Sequence, residues 1–130
     1  MAIYGYCRIS TAKQNIDRQV RNILAVYPKA KIIKETFTGT KFQGRKELDK
    51  ILKRVKSDDT IVFDSVSRMS RTASEGFELY ESLYNKGIHL VFLKEHYIDT
   101  DTYRQAMSNQ LQMTGTEVDV ILKGINEYLM

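Results

Sequence analysis

The sequence has few of the residues that cross-link or interrupt a chain: one cysteine, one proline and no tryptophan among 130 residues. Cys7 has no partner for an internal disulfide, and so low a cysteine content fits a reducing compartment such as the cytoplasm. The two histidines, His89 and His96, are not spaced as a short zinc motif, and no carboxylates cluster with metal-ligand spacing. We therefore expect a chain without a metal or a cofactor, stabilised by its hydrophobic core.

Long hydrophobic runs are also missing. Unbroken apolar stretches such as the one near Leu90 to Leu93 are far shorter than the ~20 residues that a membrane-spanning helix needs. The start of the chain lacks the charged and apolar regions of a secretory signal. With 42% hydrophobic and 28% charged residues, the sequence predicts one globular domain, cytoplasmic and without a membrane partner.

Positive charge is concentrated in the first half of the chain. Residues 1–60 carry 14 Lys and Arg against 6 Asp and Glu, whereas residues 61–130 carry 6 against 10. Such a division is typical of a protein that binds a polyanion on one side. A solvated surface with unevenly placed lysines explains it equally well, so both interpretations stay open.

Short apolar runs that favour strands alternate with helical patterns along the whole chain. The predicted strands are Ile3–Ile9, Lys31–Glu35, Thr60–Asp64 and Ile88–Leu93. Helices are predicted at Gln14–Tyr27, around Leu48–Val55, from a capping box at Thr72 and Glu75 to Gly87, at Asp99–Met113 and from Thr116 onward. This alternation predicts an α/β fold with a mostly parallel sheet in the order 2-1-3-4 and helices on both faces.

In that order, the loops that leave the first three strands meet at the carboxyl edge of the sheet, where such sheets bind ligands. Arg8 and Ser10 are two residues apart at the end of the first strand and therefore point the same way. Arg68 and Arg71 share a face if the loop after the third strand turns helically. Together with Arg45, which precedes the second helix, four arginines and a hydroxyl converge on one rim.

A phosphodiester suits this group of side chains. Planar guanidinium groups match the nonbridging oxygens of a reacting phosphate, and fixed positive charge can do the electrostatic work often given to Mg²⁺. Plain structural roles are also open. Ser10 could cap the helix that follows it, Arg45 could be a surface residue, and the other arginines could pair with Glu75 or Glu78. Gln19 lies beside the apolar face of the first helix, and its role is ambiguous.

Three blocks of the sequence resemble the serine recombinase (resolvase/invertase) family. The segment YCRIST at residues 6–11 resembles the family's Y-x-R-V-S-T opening, and Gln19 follows at the family's spacing. Gly39 followed by Arg45 resembles the G-x-x-x-x-x-R region, and SRMSR at residues 67–71 resembles D-R-L-S-R. The three blocks together cover nearly the whole chain with matched spacing.

The resemblance implies a three-layer, resolvase-like sandwich with a central sheet of four to five mostly parallel strands. It implies a site-specific DNA recombinase in which Ser10 attacks a DNA phosphate, forms a 5′-phosphoserine link and later religates the strands without ATP. The residues implied to bind the scissile phosphate or to support its binding are Arg8, Arg45, Arg68, Arg71 and Gln19. The implied partners are double-stranded DNA, a homodimer and a synaptic homotetramer of a full-length protein from a bacterium or phage.

The same resemblance implies that residues 1–130 are a catalytic domain ending at or before the family's long dimerisation helix, with the DNA-binding domain absent from this chain. Ser67 stands where the family usually has Asp, which leaves that carboxylate's role unfilled; Asp64 is expected to face elsewhere. Two other classes stay open. One is a flavodoxin-like protein that binds a flavin phosphate on the loop Ser10–Lys13, and the other is a catalytically inactive DNA-binding or assembly module.

Overall fold

A computed structural model describes residues 1–9, 16–36, 46–70 and 72–108 of the chain. Its strands are β1 (Ile3–Ile9), β2 (Lys31–Thr36), β3 (Thr60–Phe63) and β4 (His89–Phe92). Its helices are α1 (Asp17–Val26), α2 (Lys46–Arg54), α3 (Ala73–Asn85) and α4 (Thr100–Ser108), with short 3₁₀ turns at Val66–Arg68 and His96–Ile98.

The four strands form one parallel sheet in the order β2-β1-β3-β4. The predicted strand order and the parallel arrangement are therefore confirmed. β1 lies in the middle, with Tyr4 opposite Lys31 of β2 and Ile61 of β3. Pairing with β3 ends at Tyr6 opposite Phe63, whereas pairing with β2 continues to Ile9. The end of β1 is thus open on the side of β3.

Helices cover both faces of the sheet, as the predicted three-layer sandwich requires. On one face, Cys7 and Val62 pack against Ile23 of α1. The other face carries the larger core, which joins the sheet to α2, α3 and α4 and includes Tyr6, Leu48, Ile51, Phe63, Tyr80, Leu83, Phe92 and Ala106. Alternate residues of each strand supply the two cores because successive side chains point to opposite faces.

The helix boundaries follow the sequence signals closely. Thr72 caps α3 by accepting the N–H of Glu75 at 3.2 Å, as predicted; the N–H of Thr72 itself donates to the Oγ of Ser70 at 3.3 Å. After α3, Gly87 adopts a φ of 78°, which glycine tolerates at the end of a helix. The end of the predicted helix at 99–113 and the predicted last helix lie outside the described residues. None of the described helices is long and apolar enough to cross a membrane.

Candidate active site

The structure describes three of the six predicted site residues, and all three lie at the carboxyl edge of the sheet: Arg8, Gln19 and Arg68. Arg8 is the second-to-last residue of β1, Gln19 is in the first turn of α1, and Arg68 ends the 3₁₀ turn after β3. Ser10, Arg45 and Arg71 lie outside the described residues, so their predicted positions at this edge stay predictions.

Gln19 binds the backbone of Arg8 with both ends of its amide. Its Oε1 accepts the Arg8 N–H at 3.0 Å, and its Nε2 donates to the Arg8 carbonyl at 2.8 Å. The reason lies in the sheet. The Thr60 N–H donates to the Ala2 carbonyl, so the even-numbered residues of β1 direct their backbone groups towards β3. β3 ends before it can reach Arg8, and the buried Gln19 side chain takes the place of the missing strand.

The guanidinium of Arg8 contacts the segment that carries Arg68. Its Nη2 donates to the backbone carbonyl of Ser67 at 2.9 Å, across 59 residues of sequence. Arg8 is buried, and the Nε of Arg68 is also buried, with no hydrogen-bond partner within the described part of the chain. The structure thus joins two of the predicted arginine segments and leaves a buried N–H donor at their junction.

Residues 65–70 form a tight turn anchored from below by apolar side chains. Val66 and Met69 are fully buried, whereas Ser67 and Arg68 between them are partly exposed. The hydroxyls of Ser65 and Ser67 lie 2.6 Å apart. We call residues 65–70 the arginine turn. Its packing fixes the backbone at Arg68 and so the point from which the Arg68 side chain extends.

Asp64 faces the α1 side of the sheet, away from the side chain of Arg8. Its carboxylate accepts a hydrogen bond from Asn22 of α1 at 2.9 Å and lies 3.4 Å from the Nζ of Lys94. This agrees with the expectation that Asp64 does not replace the carboxylate missing at Ser67. Burial raises the pKa of the neighbouring Cys7 thiol to about 12, and the negative charge of Asp64 adds to that effect.

Two buried polar residues at this edge were missed by the sequence analysis. The hydroxyl of Tyr6 donates to the carboxylate of Glu35, and the second oxygen of Glu35 accepts the Glu47 N–H at 3.1 Å. Glu35 therefore binds the first turn of α2. The only signal in the sequence was the position of Glu35 at the carboxyl end of a predicted strand.

Within the described ranges, no three His, Cys, Asp or Glu side chains are grouped so that they could hold a metal ion.

Comparison with known proteins places this arrangement in a family. The family model described as the resolvase N-terminal domain matches residues 3–123. A resolvase of Clostridium perfringens is 31% identical over 100 residues, which cover 75% of this chain and 52% of the relative. The DNA-invertase hin of Salmonella typhimurium is 35% identical over 102 residues, covering 78% of this chain and 52% of the relative.

The match extends to a more distant relative and to a solved structure. The transposon Tn917 resolvase of Enterococcus faecalis is 26% identical over 132 residues, covering 98% of this chain and 68% of the relative. A crystal structure of a resolvase family site-specific recombinase from Streptococcus pneumoniae has the same fold, with a TM-score of 0.56 at 16% identity over 92% of this chain and 96% of that chain. The chain therefore belongs to the resolvase N-terminal domain family. It spans about half the length of the first two relatives.

Proposed function

We propose that this chain is the catalytic domain of a serine-type site-specific DNA recombinase and that Ser10 is its nucleophile. The observation that carries the proposal is the hydrogen bond from the Arg8 guanidinium to the Ser67 carbonyl. It connects the end of β1, which Ser10 follows in the sequence, with the turn that carries Arg68. This contact supports the proposal that the Ser10 hydroxyl acts beside these two guanidinium groups. Family membership supports the same conclusion.

The proposed reaction is a phosphoryl transfer to a side chain. The Ser10 oxygen forms a bond to the phosphorus of a DNA phosphodiester, and the bond to the 3′ oxygen breaks. The Ser10 hydroxyl gives up its proton as it attacks, the 3′ oxygen gains one and leaves as a hydroxyl, and the 5′ phosphate stays on Ser10. Religation reverses these events with a 3′-hydroxyl of another strand, and no ATP is needed because the phosphoserine link retains the bond energy.

The arginines are proposed to bind the charge that spreads over the phosphate oxygens during transfer. The Nε of Arg68 is buried without a hydrogen-bond acceptor among the residues that the structure describes. Because such a buried N–H is costly, it is a donor suited to a phosphate oxygen. Arg8 is held in place by its contact with Ser67, and Gln19 acts on it indirectly by fixing its backbone. Arg45 and Arg71 complete the proposed set.

The rest of the proposal concerns the whole protein. We propose that residues 1–130 act with a dimerisation helix and a DNA-binding domain that this chain does not include. The full-length protein would bind double-stranded DNA as a homodimer and form a synaptic homotetramer in the cytoplasm of a bacterium or phage-infected cell. The coverage of about half of the relatives' length supports this division.

The test is the covalent adduct. Full-length protein is incubated with a nicked substrate that traps cleavage, and the linked residue is located by mass spectrometry. Ser10→Ala should abolish the adduct while DNA-site binding is retained, and Thr11 remains in that variant as a second hydroxyl. Ser57→Ala, at the opposite edge of the sheet, is the matched control and should cleave normally. An adduct in Ser10→Ala protein would refute the assignment.

The same assay separates the other function classes. A wild-type protein that binds its site but never forms an adduct would be a non-catalytic assembly module. Purified protein that carries a bound flavin would favour the cofactor-binding class instead. Cleavage is expected to proceed in excess EDTA because the guanidinium groups supply the positive charge; dependence on added Mg²⁺ would contradict the metal-free reaction.

A further inference from the structure

Glu95 is a fully buried carboxylate that no part of the proposed reaction uses. It lies just after β4, and its Oε1 accepts the backbone N–H of Val66 at 2.8 Å, 29 residues away. Val66 is the first residue of the 3₁₀ turn that ends at Arg68. Glu95 therefore joins the loop after β4 to the arginine turn.

The arginine turn cannot satisfy this N–H by itself. Its own backbone bonds run from Arg68 to the Ser65 carbonyl and from Met69 to the Val66 carbonyl, at 3.1 and 3.0 Å. The N–H of Val66, the first residue of the 3₁₀ turn, has no acceptor among these bonds, and the side chain of Ser65 does not cap it. Glu95 supplies the cap from a distant segment.

Keeping a carboxylate at this place is costly. Burial raises the pKa of Glu95, while the Val66 N–H and the charge of Lys94 oppose the increase and the carboxylates of Asp64 and Asp99 add to it. The second oxygen, Oε2, is buried without a hydrogen-bond partner in the described part of the chain. A buried group with one satisfied oxygen contributes chiefly by fixing the geometry of what it binds.

We propose that Glu95 is a positioning residue for the reaction, and that it acts by holding the arginine turn through Val66. The turn in turn presents Arg68 and the Ser67 carbonyl that binds Arg8. If Val66 moves, both guanidinium groups move with it. This inference rests on the proposed function, because the effect is exerted on the chemistry of cleavage.

Two substitutions of Glu95 separate the effect of side-chain length from the effect of charge. Glu95→Gln keeps the length of the side chain and an oxygen that can accept the Val66 N–H, but it removes the charge. Glu95→Asp keeps the charge and withdraws the oxygen by one methylene. In single-turnover cleavage by full-length protein, Glu95→Asp should be slower by on the order of ten- to a hundredfold, because small misplacements of catalytic groups have effects of that size. Glu95→Gln should recover most of the rate, and both variants should bind the site normally.

Asp59 provides the matched control. It is also a buried carboxylate that accepts backbone N–H groups, those of Ala2 and Lys56 at 2.9 and 3.0 Å, but it lies at the amino end of β3. Asp59→Ala should lower the thermal midpoint without slowing cleavage by the folded protein. The thermal midpoints of the Glu95 variants are measured alongside.

A double-substitution cycle tests whether Glu95 acts through Arg68. The double variant Glu95→Asp with Arg68→Lys should lose less cleavage rate than the product of the two single fold-reductions, since substitutions that affect one interaction are not additive. Independent effects, an unaffected Glu95→Asp protein, or a Glu95→Gln protein slower than Glu95→Asp would each overturn the inference. Wild-type protein that forms no adduct would instead overturn the proposed function.

Discussion

Arg8 is the residue at which the separate parts of the candidate site meet. Its backbone is bound by Gln19 of α1 and its guanidinium by the Ser67 carbonyl. In each contact one partner is a backbone group, either of Arg8 or of Ser67, and substitution of that residue's side chain leaves this group in place. The contact with the Ser67 carbonyl does not need the Asp that the family pattern usually has at position 67, because a backbone carbonyl is available whatever side chain the residue carries.

This geometry predicts a mild effect of substitution at Ser67. Ser67→Ala removes one hydroxyl from the pair with Ser65 but keeps the carbonyl that accepts from Arg8. A single hydrogen bond of this kind contributes about 1 kcal/mol, so the single-turnover cleavage rate should stay within about an order of magnitude of wild type. A loss of roughly a hundred- to a thousandfold would instead give the Ser67 hydroxyl a direct part in the reaction.

At the scale of elements, β1 and α1 pack closely because Gly5 has no side chain. A Cβ at Gly5 would lie 2.8 Å from the Cδ1 of Ile32 and 2.9 Å from the Cγ2 of Ile23. Ile23 is fully buried in the smaller core and has little room to move. The close approach also brings Gln19, one turn earlier on α1, to the backbone of Arg8.

Gly5→Ala should therefore destabilise the fold although alanine is the better strand residue. Overpacking a core costs about 1–3 kcal/mol, and the reduced flexibility of the unfolded chain offsets roughly 0.5–1 kcal/mol of it. The free energy of unfolding in urea should fall by about 1–2 kcal/mol. Ile32→Val removes the nearer methyl group, so the double variant should be more stable than additivity predicts. Strict additivity would contradict the steric explanation.

At the scale of the whole molecule, the order of the strands turns a division of charge along the sequence into a division in space. β2, β1 and helices α1 and α2 come from the basic half of the chain, whereas β3, β4, α3 and α4 come almost wholly from the acidic half. The order β2-β1-β3-β4 keeps the two halves on opposite sides. Exposed cations such as Arg18, Arg21 and Lys31 lie on the basic side.

This arrangement predicts how the 130-residue chain by itself binds DNA. It should bind cognate and scrambled duplexes alike, with a dissociation constant at or weaker than roughly 10⁻⁴–10⁻⁶ M near physiological salt and a steep loss as salt rises. Without the proposed further domain, it should not recombine DNA and should be monomeric or weakly self-associating in sedimentation. The full-length protein should discriminate the two duplexes.

The charge division also supplies a control for that titration. Arg18→Glu with Arg21→Glu should weaken binding and flatten the salt dependence, because fewer counterions are released. Lys86→Glu, an exposed change on the acidic side, should have a smaller effect. Strong discrimination between duplexes by the chain alone would mean that a sequence-reading surface lies within residues 1–130.

The alternation of strands and helices and the parallel order of the sheet could be predicted from the sequence alone, whereas the place of Ser10, Arg45 and Arg71 at the carboxyl edge stays a prediction. The alternation and the order follow from local signals: apolar runs, Pro28 after α1, the Thr72 cap and Gly87. The resemblance of three short motifs with matched spacing was enough to indicate the family, which the family model over residues 3–123 confirms.

The polar groups that support the carboxyl edge could be recognised only from the way the elements pack together. Gln19 was ambiguous, and Glu35 and Glu95 were not recognised, because each binds a backbone N–H that lies 11, 12 or 29 residues away along the chain. The need for them arises where β3 ends short, where α2 begins and where the arginine turn lacks an acceptor. A local sequence pattern does not predict these hydrogen bonds, since a buried N–H acquires its partner only when the elements pack together.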